Sequence, residues 1–464
     1  REHNGCLGNN DETRTNDSGI RPDFIEYTPL DGKGISCDSD EYVHFVVVGM
    51  SKIGVAMGVQ AMFQAHYLNF RKARSRITFI DTNVDKEMNF FKGRYVNFFG
   101  LVKNKYFDAN NCTSDMLMPN NGWTDPAEQP DYKWAHLSKD GKNFIDLEIE
   151  FVKGEIESDG VREYLRNIAK EEKSKLTIAV CLTQTHKAIA ASLYLPVEIY
   201  KKVQEIWVYQ REASDILTNL SGAKRNDRRY KKLRPFGMMY GEYMRDRSLY
   251  LKSIIANGAY KDYDSLKKIN VIDKDTYKDL RMDWKKLSIA NKWSNKFFVD
   301  TIYQKIRGIA PGLFHGENIA GAYKNKLFKD GANENIEPTL IEALRKYETI
   351  LGQCEHNRWN VQQLLMEFSP CGKHDDEICC MLNDAYRQTY LKKKEYDEKS
   401  LPYNIKIAFN EAKDDFKSKK ESLKESEDRV HPNICGYSHL DEVDFGAKQF
   451  DINMNNAIPV ILMK

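Results

Sequence analysis

Short apolar runs alternate with amphipathic stretches along the first half of the chain. The stretch VHFVVVGMSKIG joins an apolar run of strand length, residues 43–48, to a glycine turn. An amphipathic helix follows, with apolar side chains every four residues from Ile53. Further strand-length runs lie at 77–83, 144–155, 175–185 and 205–212. Because helical patterns at 160–173 and 185–203 separate these runs, we predict an α/β fold with a doubly wound parallel sheet of Rossmann type.

The second half of the chain has a mainly helical pattern, and its clearest helix runs from about 337 to 368. An apolar stripe at steps of three and four residues follows this helix. The stripe consists of Leu340, Leu344, Tyr347, Leu351, Cys354, Arg358, Val361 and Leu365. Arg358 is its only charged member. A guanidinium in such a position is costly unless it is paired, hydrogen-bonded or in contact with a ligand.

These patterns divide the chain into four segments. They are an irregular N-terminal arm at 1–41, a Rossmann-type domain at 42–213, a charged helical connector at 214–335 and a small, mainly helical module at 336–464. Insertions lie at about 92–142 in the Rossmann-type domain and at about 371–430 in the module. We expect the second insertion, which is charged and helical, to project from the module.

Composition and charge restrict the class of protein. Apolar residues make up 41% of the chain and aromatic residues 11%, which is typical of a folded globular protein. The net charge is only +2, so no global field attracts nucleic acid or anionic lipid. The basic run between Lys224 and Arg247 allows a phosphate or RNA contact, but it lacks interleaved aromatics and is more simply a solvated linker helix. We therefore expect no nucleic-acid partner.

Nine scattered cysteines, several inside apolar runs, indicate free thiols in a reducing compartment. No run approaches the roughly 18 consecutive apolar residues of a membrane span, and nothing resembles a signal peptide. We therefore expect a cytoplasmic protein, free or at the cytoplasmic face of a membrane. Because the chain starts at Arg1, the sequence is also compatible with a membrane anchor ahead of it.

Four potential metal ligands lie close together in the second insertion. They are Cys371, His374, Cys379 and Cys380. Adjacent cysteines cannot easily both face one tetrahedral ion, and the insertion contains no C-x-x-C pair. We therefore predict no metal site.

The glycine turn after the first strand is a candidate phosphate-binding site. Gly49 and Gly54 have the spacing of a P-loop, but the Val-Ala pair that follows stands where that loop needs Lys and Ser or Thr. Against the dinucleotide pattern G-x-G-x-x-G, they fit the first and third glycines, while Ser51 replaces the middle one. Asp81 ends the second strand, where it can accept hydrogen bonds from a ribose. In the alternative interpretation, the glycines only form a turn and Asp81 only ends a strand.

Residues 43–212 resemble the TrkA-N, or RCK, family of regulatory nucleotide-binding domains. The resemblance rests on VVVGMSKIGVAMGVQAM, ITFIDTN, VKGE and LTIAVCLTQTHKAIAASLYLP. Family members bind NAD(H) or adenine nucleotides and control potassium channels and transporters. The resemblance therefore implies such a cofactor here, bound by the turn and the strand ends. The implied residues are Gly49, Met50, Ser51, Lys52, Ile53, Gly54, Asp81, Thr82, Gly154, Glu155 and Thr183. The insertion at 92–142 is not part of the family pattern and either covers the nucleotide site or forms a surface excursion.

The last part of the chain resembles the RyR domain, a module repeated in ryanodine receptors and found singly in bacterial and phage proteins. LGQCEHNRWNVQQLLMEFSP and HPNICGYSHLDEVDFGAKQFDINMNNAIPVIL carry this resemblance. The preceding WKKLSIANKWSN resembles the segment before this module in prokaryotic proteins that join it to TrkA-N. The resemblance implies a small, nucleotide-like ligand. The residues predicted to bind it are Glu355, His356, Arg358, Trp359, His431 and Tyr437.

The residues alone leave three interpretations of Arg358 open. It pairs with Glu355 or another carboxylate while Trp359 packs in the core, or it offers its donors to a phosphate or carboxylate while Trp359 supplies a stacking wall. A metal or catalytic role for His356 with Glu355 is disfavoured, because sequence neighbours point in different directions on a helix and H-E-x-x-H is absent.

We therefore expect a non-catalytic ligand sensor, forming a homo-oligomer, that controls a membrane transport partner or another effector through the arrangement of its domains. Two alternatives remain. One is a nucleotide-dependent oxidoreductase using His186, which follows the fourth predicted strand. The other is a scaffold with a vestigial nucleotide site.

Overall fold

Seven parallel strands form the centre of the first half of the chain. The computed structural model describes residues 27–211, 230–237, 247–266, 268, 272–311 and 336–463. The strands are β1 (Tyr42–Val48), β2 (Ser75–Asp81), β3 (Lys103–Asp108), β4 (Leu147–Lys153), β5 (Ser174–Val180), β6 (Ile206–Tyr209) and β7 (Leu233–Phe236). Their order across the sheet is β3-β4-β2-β1-β5-β6-β7. The predicted α/β class and parallel sheet are confirmed.

Helices cover both faces of this sheet. They are α1 (Lys52–Gln64), α2 (Val84–Arg94), α3 (Val96–Phe99), α4 (Asp159–Lys170), α5 (Thr185–Leu193) and α6 (Val197–Lys202). In β1, Phe45 and Val47 pack on the side of α1 and α2, whereas Val46 and Val48 pack on the side of α4 to α6. Because both faces are covered, the central strands are apolar throughout and do not alternate with polar positions. The sheet is therefore doubly wound.

Two strands lie where the sequence pattern predicts none. Strand β3 belongs to the insertion at 92–142 and pairs with β4, and its two buried side chains are Lys105 and Phe107. A buried lysine removes the apolar pattern that would identify a strand. Strand β7 lies in the predicted helical connector and contains Pro235, a residue that sheets accept at their edges. Most of the basic run at 224–247 lies outside the described residues.

Ten helices of the described chain form the second half. They are α7 (Arg247–Leu266), α8 (Lys274–Lys286), α9 (Ile289–Ile309), α10 (Ile336–Lys346), α11 (Glu348–Leu365), α12 (Lys373–Lys394), α13 (Tyr403–Glu425), α14 (Leu440–Val443), α15 (Ala447–Asn456) and α16 (Ile458–Met463). The single helix predicted from 337 to 368 is two helices, because the backbone leaves the helical region at Tyr347. The insertion at 371–430 forms the helical hairpin α12–α13. No helix among the described residues is both long and apolar enough to cross a bilayer.

The two halves share one hydrophobic core at the end of α1. Gln304 of α9 donates to the carbonyl oxygens of Gln64 and His66 at 2.7 and 3.0 Å. The thiol of Cys354 on α11 lies 3.5 Å from the same His66 oxygen. These contacts satisfy carbonyl groups that the end of a helix leaves without partners. The connector helix α9 and the module helix α11 therefore both hold the carboxyl end of α1.

The described part of the N-terminal arm, residues 27–41, contains no helix or strand, and it packs against the connector. Asp31 accepts two hydrogen bonds from Arg307 of α9, each 2.7 Å long. Ile35 is buried in the main core. The rest of the predicted arm, residues 1–26, lies outside the described residues.

Gly54 allows the glycine turn to lie directly against α1. A Cβ at this position would lie 1.9 Å from the backbone oxygen of Gly49. We expect Gly54→Ala to lower the free energy of unfolding by about 2 kcal/mol or more, because the backbone must move to accept the methyl group. Urea unfolding measures the change.

The matched control is Gly93→Ala in α2, where a Cβ would have no neighbour within 4 Å. This substitution should stabilise the protein by about 0.5–1 kcal/mol, since alanine favours helix more than glycine. Equal effects at the two positions would show that the close approach at Gly54 has no energetic importance.

Candidate functional site

The residues predicted to bind a nucleotide lie along the carboxyl edge of four adjacent strands. The glycine turn follows β1, Asp81 ends β2, Gly154 follows β4 and Thr183 follows β5. Strands β2 and β5 flank β1 on opposite sides, so the order of connections reverses at β1. Open α/β sheets bind ligands in the crevice at such a point. The fold therefore brings the predicted nucleotide-binding residues to one edge.

The glycine turn uses part of its hydrogen-bonding capacity within the protein. The backbone N–H of Met50 donates to Asp81 Oδ2 at 2.7 Å. Ser51 caps α1: its Oγ accepts from the N–H of Gly54 at 3.2 Å and donates to the Cys181 oxygen at 2.8 Å. The serine in place of the middle glycine thus ties the turn to the end of β5. Because each carboxylate oxygen has two lone pairs, Asp81 retains acceptor capacity for a ribose.

His186, the residue of the oxidoreductase alternative, lies in the first turn of α5 and is exposed. Lys52, Thr82 and Glu155 are also exposed at this edge.

A second candidate site is a cavity of about 450 Å³ in the helical half, which we call the helical pocket. Helices α7, α9, α11, α13 and α15 contribute to its walls. Four of the six residues predicted to bind a ligand in the module line this cavity. They are Glu355, His356, Trp359 and His431.

The other two predicted residues lie behind the wall of the helical pocket. Arg358 contacts Glu355 from the buried side, and the ring of Tyr437 packs edge-on against His356 with 5.7 Å between ring centroids. Other helices supply several lining residues that the sequence did not predict. They are Tyr260 of α7, Lys420 and Lys424 of α13, and Phe450 and Asp451 of α15. Their distance in sequence from EHNRW left no local pattern by which to find them.

Aromatic rings form one wall of the helical pocket. His356 stacks on Trp359 with 5.8 Å between centroids, and Trp359 meets His431 edge-on at 4.9 Å. At the rim, Tyr260 stacks on Phe450 at 5.2 Å. Flat, partly polar rings of this kind bind planar ligands by stacking.

The two histidines of the wall have defined hydrogen-bonding roles. His431 Nδ1 accepts from the backbone N–H of Asn433 at 3.2 Å, so a neutral ring carries its proton on Nε2. Burial, together with Lys424 and Lys420, holds the pKa of His431 well below its usual value. His356 donates from Nε2 to the Cys435 oxygen at 3.0 Å. Its Nδ1 lies 3.4 Å from Asp451, whose pKa burial raises.

Charged side chains of both signs line the helical pocket, and two cations lie beneath its floor. The lining charges are Lys261, Lys420 and Lys424 with Glu355, Asp444 and Asp451. Lys420 pairs with Asp444, and burial lowers the pKa of Lys424. Beneath the floor, Glu355 accepts from Lys305 at 2.6 Å and from Arg358 at 2.8 Å. Two cations there share one carboxylate, and the low dielectric of the interior extends the field of the excess charge. Lys420 and Lys424 are the groups of the lining that can contact an anion near the aromatic wall.

Arg358 is 1% exposed, and its donors are used within α11. Its Nε and Nη2 donate to Glu355 Oε1 at 3.0 and 2.8 Å, and its Nη1 donates to Gln362 Oε1 at 2.7 Å. This arrangement corresponds to the buried ion pair among the three interpretations. Arg358 acts on the helical pocket through its charge and not by lining the pocket.

A larger cavity of about 810 Å³ lies at the amino edge of the sheet, and Tyr437 lines it. Ion pairs occupy part of its lining: Glu148 accepts from Arg76 and from Lys103, each at 2.9 Å, and Lys173 pairs with Asp40 at 2.6 Å. The smaller helical pocket, with its wall of stacked aromatic rings, is the stronger candidate.

Comparisons with known proteins give no assignment, since no family model, no curated protein and no solved structure matches the chain. The resemblances to TrkA-N and to the RyR domain therefore stay predictions.

The buried Glu355 makes the stability of the protein depend on pH. Burial by itself raises the pKa of this carboxyl, but Arg358 and Lys305 outweigh burial and lower the pKa from 4.5 to about 2. A depressed carboxyl pKa contributes stability above the unfolded value, and this contribution is lost as the pH falls towards 2. The difference corresponds to about 3 kcal/mol at neutral pH.

We therefore expect Glu355→Gln to lower the free energy of unfolding by about 3–5 kcal/mol at pH 7, because two buried cations lose their carboxylate. The deficit should shrink as the pH falls from 4.5 to 2. Urea unfolding over this range measures both effects. Glu163→Gln, at a half-exposed carboxylate paired with Arg166, should change stability by less than about 0.5 kcal/mol throughout. A deficit for Glu355→Gln that does not vary with pH would contradict the assigned shift.

Proposed function

We propose that this protein is a ligand-sensing regulatory protein whose helical pocket binds a small, planar, anionic ligand of nucleotide type. One observation carries the proposal: an aromatic wall, Trp359 with His431, faces the same 450 Å³ cavity as two lysines, Lys420 and Lys424. This combination fits a ligand that has a flat ring and a phosphate group.

The size and chemistry of the cavity support this assignment. Pockets for small molecules typically measure about 300–1,000 Å³ and combine apolar walls with a few polar groups. The rings of Trp359 and His431 offer faces and edges to a nucleobase. Lysines bind phosphate as point charges, and Lys420 and Lys424 face the same cavity as the rings.

Helix α1 connects the helical pocket to the predicted nucleotide site. Its amino end carries the glycine turn, while α9 and α11 hold its carboxyl end through Gln304 and Cys354. Both of these helices also line the helical pocket. A ligand that shifts α9 or α11 thereby acts on the turn at the opposite end of α1, about 20 Å away. Such a connection is what regulation by two ligands requires.

In this proposal, NAD(H) or an adenine nucleotide occupies the carboxyl edge of the sheet, and the nucleotide-like ligand occupies the helical pocket. The two ligands together set the relative positions of sheet and helices. The protein, as a homo-oligomer, passes this state to a membrane transport partner or another effector.

The helical pocket can be tested by thermal unfolding with AMP, ATP, NAD, NADH and cyclic nucleotides. At least one of them should stabilise the wild type, by about 2.7 kcal/mol when its concentration is 100 times Kd. Trp359→Leu and Lys424→Met should each abolish that stabilisation, because they remove the stacking face and a phosphate-binding charge.

Lys417→Met is the matched control, since Lys417 is an exposed lysine of α13 that does not line the pocket. It should leave the stabilisation unchanged. Full stabilisation retained in both Trp359→Leu and Lys424→Met would refute binding in the helical pocket.

The carboxyl edge has its own test. Asp81→Asn keeps an acceptor for the Met50 N–H but loses the charge that favours a ribose diol. We expect it to weaken binding of NAD(H) or an adenine nucleotide about tenfold or more, measured by calorimetry. Asp159→Asn, at an exposed residue at the start of α4, should have no effect.

Two outcomes would favour the alternative functions. Wild-type protein that binds none of these nucleotides would support the scaffold. Oxidation of a reduced nicotinamide cofactor that His186→Ala abolishes would support the oxidoreductase.

A further inference from the structure

A cluster of three different side chains lies outside both candidate sites, where the helical hairpin meets the module. Asp376 and Cys380 of α12 face His439, which precedes α14. His439 Nε2 lies 3.0 and 3.1 Å from the two oxygens of Asp376, and Cys380 Sγ lies 3.9 Å from Asp376 Oδ2. The three potential ligand atoms all lie within 4.8 Å of one another.

We propose that Asp376, Cys380 and His439 bind one Zn²⁺ ion. Zinc binds nitrogen and oxygen at about 2.0–2.2 Å and thiolate sulfur at about 2.3 Å in a tetrahedron, which places ligand atoms about 3.3–3.8 Å apart. The separations of 3.0 and 3.9 Å lie on either side of this range, and the third pair of ligand atoms is within 4.8 Å. Three protein ligands leave a fourth position for water.

Helix α12 and its contact with α14 position the three ligand side chains without a metal ion. Asp376 and Cys380 are four residues apart on α12, so they lie on one face of the helix. Asn383, at the next position on that face, donates to the backbone oxygens of Asp441 and Glu442 at 3.0 and 2.8 Å. It also accepts from the backbone N–H of Phe445 at 2.7 Å. This amide fixes α12 against α14 independently of the metal.

The Nδ1 of His439, the ring nitrogen that faces away from Asp376 and Cys380, contacts a carboxylate, as in many zinc-binding histidines. Its Nδ1 lies 3.0 Å from Glu442 Oε2, and Lys139 holds the other oxygen of Glu442 at 2.7 Å. A carboxylate on one ring nitrogen fixes the tautomer and leaves the other nitrogen for the metal. Here the nitrogen that remains is Nε2, the one that faces Asp376 and Cys380.

The mixture of donors selects the metal. Mg²⁺ and Ca²⁺ prefer oxygen ligands alone, whereas a nitrogen, an oxygen and a thiolate together suit Zn²⁺. On binding, the thiol proton of Cys380 and the proton between His439 and Asp376 pass to solvent.

The neighbouring cysteines do not belong to this site. Cys379 is fully buried and packs with Cys371 and Leu423, on another side of α12 from Cys380. Cys379 and Cys380 therefore face different sides of α12 and do not meet at one ion. The site arises from one of them and from a histidine that lies 63 positions beyond Asp376 in sequence.

Cobalt titration of the full chain, stripped with a chelator, tests the proposal. Co²⁺ replaces Zn²⁺ in tetrahedral sites, and a thiolate ligand gives a charge-transfer band in the near ultraviolet. We expect a band that saturates at one Co²⁺ per chain and disappears when Zn²⁺ is added. Cys380→Ser should remove the band, and His439→Ala should weaken binding by about 100-fold or more, while Glu442→Gln should weaken it by about 10- to 100-fold.

Matched controls distinguish this site from adventitious binding. His374→Ala, at an exposed histidine of the same helix, and Cys112→Ser, at a half-buried thiol near the sheet, should leave the titration unchanged. Circular dichroism establishes that each variant is folded. X-ray absorption of the zinc-loaded wild type, which needs no variant, should show one sulfur ligand.

The proposal fails if the wild type shows no saturable thiolate band, if Cys380→Ser retains the band, or if the zinc-loaded protein shows no sulfur or more than one. In each of these cases Asp376 and His439 form only an ion pair between α12 and α14. None of these results depends on nucleotide binding, so the test is separate from that of the proposed function.

Discussion

The buried carboxylate of Glu355, held between Lys305 and Arg358, is the interaction on which the helical half depends. It joins a connector helix, α9, to a module helix, α11, and all three charged side chains are less than 5% exposed. Removing one member of such a group is far more costly than forming the group is favourable. The same carboxylate lines the helical pocket. The contact between α9 and α11 and the shape of the pocket therefore both depend on Glu355.

The sheet uses a similar arrangement at its edge. Lys105 of β3 and Glu150 of β4 are fully buried and lie 3.2 Å apart, and Thr78 and Tyr164 donate to the same carboxylate. Buried charges of this kind tolerate only one pairing, because a shift in register would leave them without partners. The insertion thus adds a strand to the sheet in a single register instead of forming a loose surface excursion.

The sequence was sufficient wherever a structural element follows from its own periodicity. The central strands and the glycine turn lie where their spacing places them. The stripe from Leu340 to Leu365 is broken at Tyr347, but Arg358 is buried within its second helix, α11. What escaped prediction depends on partners distant in the chain. Strand β3 looks polar because it contains Lys105, which can be buried only because Glu150 of a neighbouring strand pairs with it. The pocket lysines lie on α13, which is distant from Trp359 in sequence and approaches it only in the folded chain. The ligand set of His439 was hidden for the same reason.

Helix α13 connects the helical pocket to the far end of the helical hairpin. Lys420 and Lys424 lie near the carboxyl end of α13, while the opposite end of this 23-residue helix lies at the turn of the hairpin. The helix is about 35 Å long, so a tilt of about 5° at the pocket moves the far end by about 3 Å. Under the proposed function, a ligand that tilts α13 at the pocket therefore also displaces the far end of the hairpin.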